Sequence, residues 1–273
     1  MVVRMEYREA IIMIETYIIS IPTETKRFNF IKSQVELFSF LNFHFIDPVI
    51  GKHLSPDFLS KYYNDELSNE KLGRSLSLNE IGCALSHRKA WEQILKQNTS
   101  DYGLILEDDA LISGNIYRMY KELKAFLNSL KDPFILLLTP SEYVSNKIFF
   151  KHEYLNIYPF YNGYYTTGYI INKSAIIKLL KAFPLITYPA DVWNIYKHYV
   201  TIYSSVPYLV SISISETISS TINENKFNSM NKTIVIKKIN FKYLQKLLYK
   251  IYKKLINKIY KNILRIKSTK LIF

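Results

Sequence analysis

Two short, uninterrupted apolar runs constrain this chain most: residues 102–106 (YGLIL) and 133–138 (PFILLL). Runs of that length, continuous rather than alternating, read as strands with both faces covered. Residues 16–21 (TYIISI) and 164–171 are further strands, 43–46 a candidate second one, and 202–214 add one or two more. Between them the period changes to that of a helix. Phe28, Ile31, Val35, Phe38 and Leu41 mark a helix over residues 24–41. Ser77 and Glu80 form a capping box ahead of a stripe made by Ile81, Ala84, Leu85, Trp91, Ile94 and Leu95. Ser113 or Asn115 is expected to cap a helix reaching Leu130, Asn172 one running through Phe183, and residues 190–199 a short helix. Strands alternating with helices predict an α/β fold, its sheet covered on both faces. Residues 51–75 read as a polar, irregular surface excursion.

A formal net charge of +13, spread evenly, would suggest a nucleic-acid-binding body. The distribution excludes that. Residues 1–224 hold 22 Lys/Arg and 23 Asp/Glu, whereas residues 225–273 hold 14 Lys/Arg and no acid. The body is neutral, and no nucleic-acid partner is expected. Met13 stands just before the first strand, so residues 1–13 read as an extension, 14–224 as the main domain and 225–240 as a polar linker. In the remainder, 241–273, Phe241, Leu244, Leu248, Ile251, Leu255 and Ile259 share one face and lysines the other. That pattern predicts a basic amphipathic helix, which over 241–267 would lie on an anionic membrane surface. No run is long and apolar enough to span a bilayer, and no signal peptide is evident. The expected location is cytoplasmic, peripherally attached to the inner face of the bacterial cytoplasmic membrane. The single cysteine, Cys83, cannot form an internal disulfide and reads as a small buried hydrophobe.

Seven glycines supply neither a dinucleotide-binding nor a P-loop fingerprint, and the five dispersed histidines have no zinc spacing. What remains is Glu107-Asp108-Asp109, directly after YGLIL. The carboxyl end of a strand is where open α/β sheets bind ligands. Three adjacent acids repel one another, and a divalent cation that prefers hard oxygen ligands, Mg²⁺ or Mn²⁺, would neutralise them. Taken alone, the triplet reads equally well as a solvated acidic turn, with Asp108 or Asp109 capping the next helix.

The wider pattern adds to this. Leu78-Asn79-Glu80-Ile81-Gly82-Cys83-Ala84-Leu85-Ser86-His87 is followed by Trp91, then by Leu104-Ile105-Leu106-Glu107-Asp108-Asp109-Ala110. Thr166-Thr167-Gly168-Tyr169-Ile170-Ile171 and Pro189-Ala190-Asp191 come after. With the first strand and Lys26-Arg27, this order resembles glycosyltransferase family 25, the lipooligosaccharide glycosyltransferases, over roughly residues 14–215. The resemblance implies a GT-A-like mixed sheet flanked by helices and a nucleotide-sugar donor, most commonly UDP-galactose. It also implies a lipid-linked oligosaccharide acceptor and inversion at the anomeric carbon. It makes Asp109 and Glu107 ligands of Mn²⁺ or Mg²⁺ and brings Glu107 and Asp108 near ribose or sugar. Ser20, Pro22 and Arg27 would face the nucleotide, and His87, Thr167 and Gly168 would line the donor site. Family members often carry an Asn-Leu-Asp-Arg-like run where this chain has Ser20-Ile21-Pro22-Thr23.

Inversion needs one base to deprotonate the acceptor hydroxyl. Asp191, an isolated acid after Pro189, is the candidate, and capping the following helix is its other reading. Two further classes compete with the transferase. A glycoside hydrolase would use two separated carboxylates and no metal. A membrane- or nucleic-acid-binding protein would keep the tail on a catalytically degenerate α/β body.

Overall fold

The computed structural model describes residues 13–213 and a short strand, Ile234–Ile236. Residues 1–12 of the expected extension, most of the linker and the basic tail lie outside the described residues. Compactness divides the chain into Met1–Val235 and Ile236–Phe273, and the fold below is that of the first unit.

In chain order the strands are β1 (Ile14–Ile19), β2 (Leu41–Ile46), β3 (Tyr102–Glu107), β4 (Ala110–Ile112), β5 (Phe134–Leu137), β6 (Tyr143–Ser145), β7 (Phe150–Lys151), β8 (Asn156–Asn162), β9 (Gly168–Asn172), β10 (Thr201–Val206) and β11 (Val210–Ile212). The helices are α1 (Thr25–Val35), α2 (Pro56–Tyr62), α3 (Asp65–Leu72), α4 (Leu78–Lys96), α5 (Ile116–Ser129), α6 (Lys173–Ala182) and α7 (Trp193–Tyr196). The main sheet runs β6-β8-β10-β5-β9-β3-β1-β2, with β7 beside β8, and a small second sheet pairs β4 with β11. β1 is parallel to β2 and β3, and β5 to β10, while β9 lies antiparallel between β3 and β5. The fold is therefore α/β, as the alternating pattern predicts, with the mixed sheet that the family resemblance implies.

Alternation along the buried strands divides their side chains between two cores. Leu104, Leu106, Phe134, Leu136 and Ile170 pack with Ile31 and Val35 of α1 and with Leu123, Phe126 and Leu127 of α5. Ile105, Ile135, Leu137 and Ile171 face the opposite way, onto Ala90, Trp91 and Ile94 of α4 and Ile176 and Leu179 of α6. Each fully buried residue of this kind contributes about 1.5–3 kcal/mol, so the strands are fixed with both faces covered. The capping box forms: Ser77 Oγ accepts the Glu80 N–H at 3.2 Å, and Glu80 Oε2 accepts the Ser77 N–H at 2.8 Å. Gly82 lets α4 lie against backbone, because a Cβ there would stand 2.6 Å from the Val49 carbonyl oxygen.

Several expectations need correction. Residues 51–75 are not irregular. Ser55 caps α2 by accepting the Phe58 N–H at 3.2 Å, and Asn64 caps α3 by accepting that of Leu67 at 2.8 Å. Gly73, at φ 71°, closes α3 in the left-handed conformation. Phe58, Leu59 and Tyr63 pack onto a satellite core of Leu76, Ile81, Leu85 and Ile186. The first helix stops at Val35, and Leu41 opens β2 instead of extending that helix. The strand expected over 164–171 begins at Gly168. Neither Ser113 nor Asn115 makes the side-chain cap of α5; Asn115 stands at the cap position without one. Asn172 does cap α6, accepting the Ala175 N–H at 3.0 Å.

Candidate active site

β1, β3 and β5 end at the same edge of the sheet, and β3 delivers Glu107 there. The Glu107 N–H donates to the Thr167 carbonyl at 3.0 Å, tying β3 to the segment entering β9. Asp108 and Asp109 form the turn into β4. Helix α1 holds that turn from two sides. Gln34 donates to the Ala110 carbonyl at 2.7 Å and accepts the Ile112 N–H at 2.8 Å. Arg27 Nη2 reaches Asp108 Oδ1 at 2.7 Å and Asp109 Oδ2 at 3.0 Å. The Asp109 carbonyl accepts the Ser213 N–H at 2.8 Å. A strand rather than a helix follows the triplet, so neither aspartate is a helix cap.

Burial and crowding set the charges. Burial, then the neighbouring Glu107 carboxylate, push the Asp109 carboxyl up to about 7 against the pull of Arg27. Asp108 is also raised, by burial first, with Arg27 opposing and Glu107 adding. Burial works in the same direction on Glu107, but hydrogen bonds from His87 and Thr166 prevail and hold its carboxyl below the usual range. Glu107 is thus the settled anion of the three. His87 Nε2 lies 3.2 Å from Glu107 Oε1, and Thr166 Oγ1 donates to the same oxygen.

His87 itself is fixed from behind. Trp91 Nε1–H donates to the Tyr169 hydroxyl at 2.9 Å, and that hydroxyl lies 3.0 Å from His87 Nδ1. Indole is only a donor, so the tyrosyl oxygen accepts from Trp91; an ionised carboxylate only accepts, so the imidazole proton that faces Glu107 is on Nε2. His87, Trp91 and Tyr169 are all buried.

The other expected residues are placed as follows. Ser20 is buried at the end of β1; its hydroxyl lies beside Asp108 without a hydrogen bond of good geometry. Pro22 is exposed in the turn before α1. Thr167 reaches the site through its carbonyl. Gly168 faces elsewhere: a Cβ there would collide with Val210 at 2.7 Å, so the glycine serves packing. Asp191 does not cap α7, where Val192 holds the cap position without a side-chain bond. Burial first, and Glu107 after it, raise the Asp191 carboxyl, which puts Asp191 within electrostatic reach of the triplet. Cys83, expected to be buried, is exposed. It is walled closely enough that desolvation, then Glu107, Asp191 and Asp109, push its thiol well up.

Two donor sets could hold a cation. Ligand atoms of Cys83, His87 and Glu107 lie within 4.8 Å of one another. That set fits poorly, because the thiol is held protonated and His87 Nε2 carries a proton. The carboxylates fit a hard divalent cation better. Of nine buried side-chain polar atoms without a partner among the described residues, three gather here: Ser20 Oγ, Arg27 Nε and Asp109 Oδ1. Buried polar atoms are ordinarily paired, so their grouping marks where an oxyanion and a cation would be satisfied. Thr166, Tyr165 and Tyr169 were not singled out in the sequence as site residues, although Thr166 and Tyr169 lie in the Thr-Thr-Gly-Tyr run that flagged their neighbours.

A family model, Glycosyltransferase family 25 (LPS biosynthesis protein), matches residues 13–193. No curated protein matches the sequence. Similar solved structures include the apo-form glycosyltransferase GlyE of Streptococcus pneumoniae, at 12% identity over 70% of this chain and 45% of that one, with a TM-score of 0.32. This chain therefore spans less than half of the GlyE chain. The galactosyltransferase LgtC in complex with donor and acceptor sugar analogs shows 11% identity, covers 82% of this chain and 84% of that one, and has a TM-score of 0.33. For an inositol-1-phosphate CTP transferase from T. maritima the figures are 11%, 81%, 96% and 0.38. Likenesses this weak assign nothing by themselves.

Proposed function

The chain belongs to glycosyltransferase family 25, the LPS biosynthesis glycosyltransferases, and from that premise we propose that it moves a hexose, galactose from UDP-galactose, onto a lipid-linked saccharide acceptor with inversion. The observation that supports this most is the grouping of Asp109 Oδ1 and Arg27 Nε, a buried acceptor and a buried donor without partners, at the carboxyl end of β3. A nucleoside diphosphate with its cation presents the complement of that pair. Glu107 and Asp109 would hold Mn²⁺ or Mg²⁺. When bound, the ion supplies Lewis-acid stabilisation of the departing diphosphate. The sheet edge carrying these groups is compatible with a GT-A-type donor site.

The chain's own residues divide the remaining work. Arg27 offers its Nε–H to a phosphate oxygen while its Nη2 keeps the two aspartates in place. The His87–Tyr169–Trp91 series fixes the rotamer of Glu107. Asp191, whose buried carboxylate is made more basic by desolvation, takes the proton of the acceptor hydroxyl as that oxygen attacks the anomeric carbon. The bond from that carbon to the diphosphate breaks, and the nucleotide leaves with the electron pair. The basic segment 241–267 would keep the enzyme at an anionic leaflet, where a lipid-linked acceptor resides.

A thermal-shift series with Mn²⁺ and a panel of nucleotide sugars tests the donor assignment. Stabilisation by a UDP-sugar that needs Mn²⁺ and vanishes in Asp109→Ala is expected. Equal melting with and without every donor would sink it.

A further inference from the structure

Next to Asp191, on α7 and the segment bonded to it, lies a second group of side chains that the donor chemistry does not use. Its pivot is Tyr165, at φ 74°, a conformation that residues with side chains rarely adopt and that surrounding structure must hold in place. It is held from two directions. Its carbonyl accepts the Trp193 indole N–H at 3.0 Å, and its backbone N–H is among the groups that favour the Asp191 carboxylate. Its neighbour Thr166 is bonded to Glu107. Tyr165 thus stands between the acidic triplet and the candidate base. Burial first, then the charges of Glu142 and Asp191, raise its phenol.

Asn194, beside Trp193 on α7, belongs to a polar series. Asn162 Nδ2 donates to Glu142 Oε2 at 2.6 Å, and Asn194 donates in turn to Asn162 Oδ1. Lys197 Nζ closes the series on Asn194 Oδ1 at 3.2 Å. Each of the two amides uses one N–H in this series and has a second, and Glu142 has a second oxygen. An aromatic face borders it: Tyr161 is 55% exposed, and its ring centroid lies 5.1 Å from Lys197 Nζ. Paired amide and carboxylate groups match the alternating donor and acceptor character of sugar hydroxyls. A flat exposed ring matches the C–H face of a pyranose.

We infer that Tyr161, Asn162, Tyr165 and Asn194, with Glu142, form the acceptor-saccharide subsite, which sets an acceptor hydroxyl against Asp191. This rests on the transferase reading above for its role, but not for its chemistry, and the two can fail separately.

The test uses the full chain and two readouts. Saturation-transfer NMR with delipidated LPS core oligosaccharide reports saccharide binding, and the Mn²⁺-dependent thermal shift with UDP reports the donor site. Tyr161→Ala and Asn194→Ala are expected to weaken oligosaccharide binding by about 5- to 10-fold each, the loss of one contact or hydrogen bond. The UDP shift should stay intact, which also verifies folding. Binding of the oligosaccharide that is equal in both variants and the unaltered chain would overturn the inference. So would absence of oligosaccharide binding in an unaltered chain that responds to UDP. Absence of any UDP response alongside variant-sensitive oligosaccharide binding would sink the donor reading and leave the subsite standing.

Discussion

At the scale of single residues, proton placement explains why three adjacent acids can share one buried turn. Tyr169 holds the His87 ring at Nδ1, His87 Nε2–H and Thr166 donate hydrogen bonds to Glu107, and Glu107 keeps the charge. Asp109 cannot do the same, and its carboxyl rises to about 7. A raised carboxyl pKa means that ionising Asp109 costs folding energy. Without a cation, stability therefore falls as pH climbs from the ordinary 3.8 toward about 7, and the loss is complete above it. Asp109→Asn removes the charge while leaving an oxygen for Arg27. At pH 8 without metal this variant should be more stable than the unaltered chain by on the order of 1–3 kcal/mol, and it should transfer no sugar. Urea denaturation at pH 5 and pH 8 measures this, and a gain as large at pH 5 as at pH 8 would refute the charge argument. Tyr169→Phe deletes one oxygen and strands both the Trp91 indole N–H and His87 Nδ1 in a buried site. A loss of about 1–3 kcal/mol in the same assay is expected, with kcat reduced more than the donor KM because Glu107 loses its anchor. Unchanged stability would mean that the two buried groups find other partners.

At the scale of elements, the capping box of α4 carries both a stability and a pH prediction. Arg74 binds Glu80 through two contacts, Nη2–Oε1 at 2.6 Å and Nη1–Oε2 at 3.0 Å. The Arg74 hydrogen bond foremost, opposed by burial and helped by Ser77, lowers the Glu80 carboxyl to about 2. A lowered carboxyl pKa stabilises the fold above the ordinary value of 4.5, and the contribution disappears as pH falls toward about 2. Ser77→Ala should cost about 1 kcal/mol at pH 7, and Glu80→Gln should narrow its own deficit steadily below pH 4.5 in a thermal melt series. A pH-independent Glu80→Gln deficit would assign the effect to packing. The same helix shows what the sequence makes legible. Ser77, Glu80 and the stripe after them define α4 because capping and burial act on neighbouring residues, and YGLIL and PFILLL define β3 and β5 for the same reason. Helices α2 and α3 carried equally local signals in Ser55-Pro56, Asn64-Asp65 and Gly73. They were obscured because their few apolar residues pack on a satellite core rather than forming a stripe. Strands β6 and β8 escape a sequence reading because exposed tyrosines interrupt any alternation. The triplet and Arg27 were legible as a site from order along the chain. Tyr165 was not, since a left-handed backbone at a tyrosine is imposed by Trp193 and Asp191, far away in sequence. The exposure of Cys83 was not legible either, because a helix stripe does not reveal which of its edges stays uncovered.

At the scale of the whole molecule, the basic excess is confined to one end of the chain. Residues 1–224 carry 22 basic against 23 acidic side chains, while residues 225–273 carry 14 basic ones and no acid. Among the described residues no helix is long and apolar enough to cross a membrane. Several lysines near an anionic leaflet, at about 1 kcal/mol each, suffice for reversible attachment, and apolar positions such as Leu244, Leu248 and Ile251 would add area-dependent affinity. The two contributions respond differently to solvent. Salt screens the first, since the Debye length shrinks from about 10 Å at 0.1 M to about 3 Å at 1 M, and leaves the second. The full chain should therefore sediment with phosphatidylglycerol-containing vesicles at low ionic strength, release largely at about 0.5 M salt, and ignore pure phosphatidylcholine vesicles. Deleting residues 236–273 should abolish sedimentation while the Mn²⁺-dependent response to UDP persists, because Arg27 and the acidic triplet all lie in the retained unit. A truncated chain that still sediments would place the membrane-binding surface on the catalytic body, and one that loses its UDP response would make the tail part of the donor site.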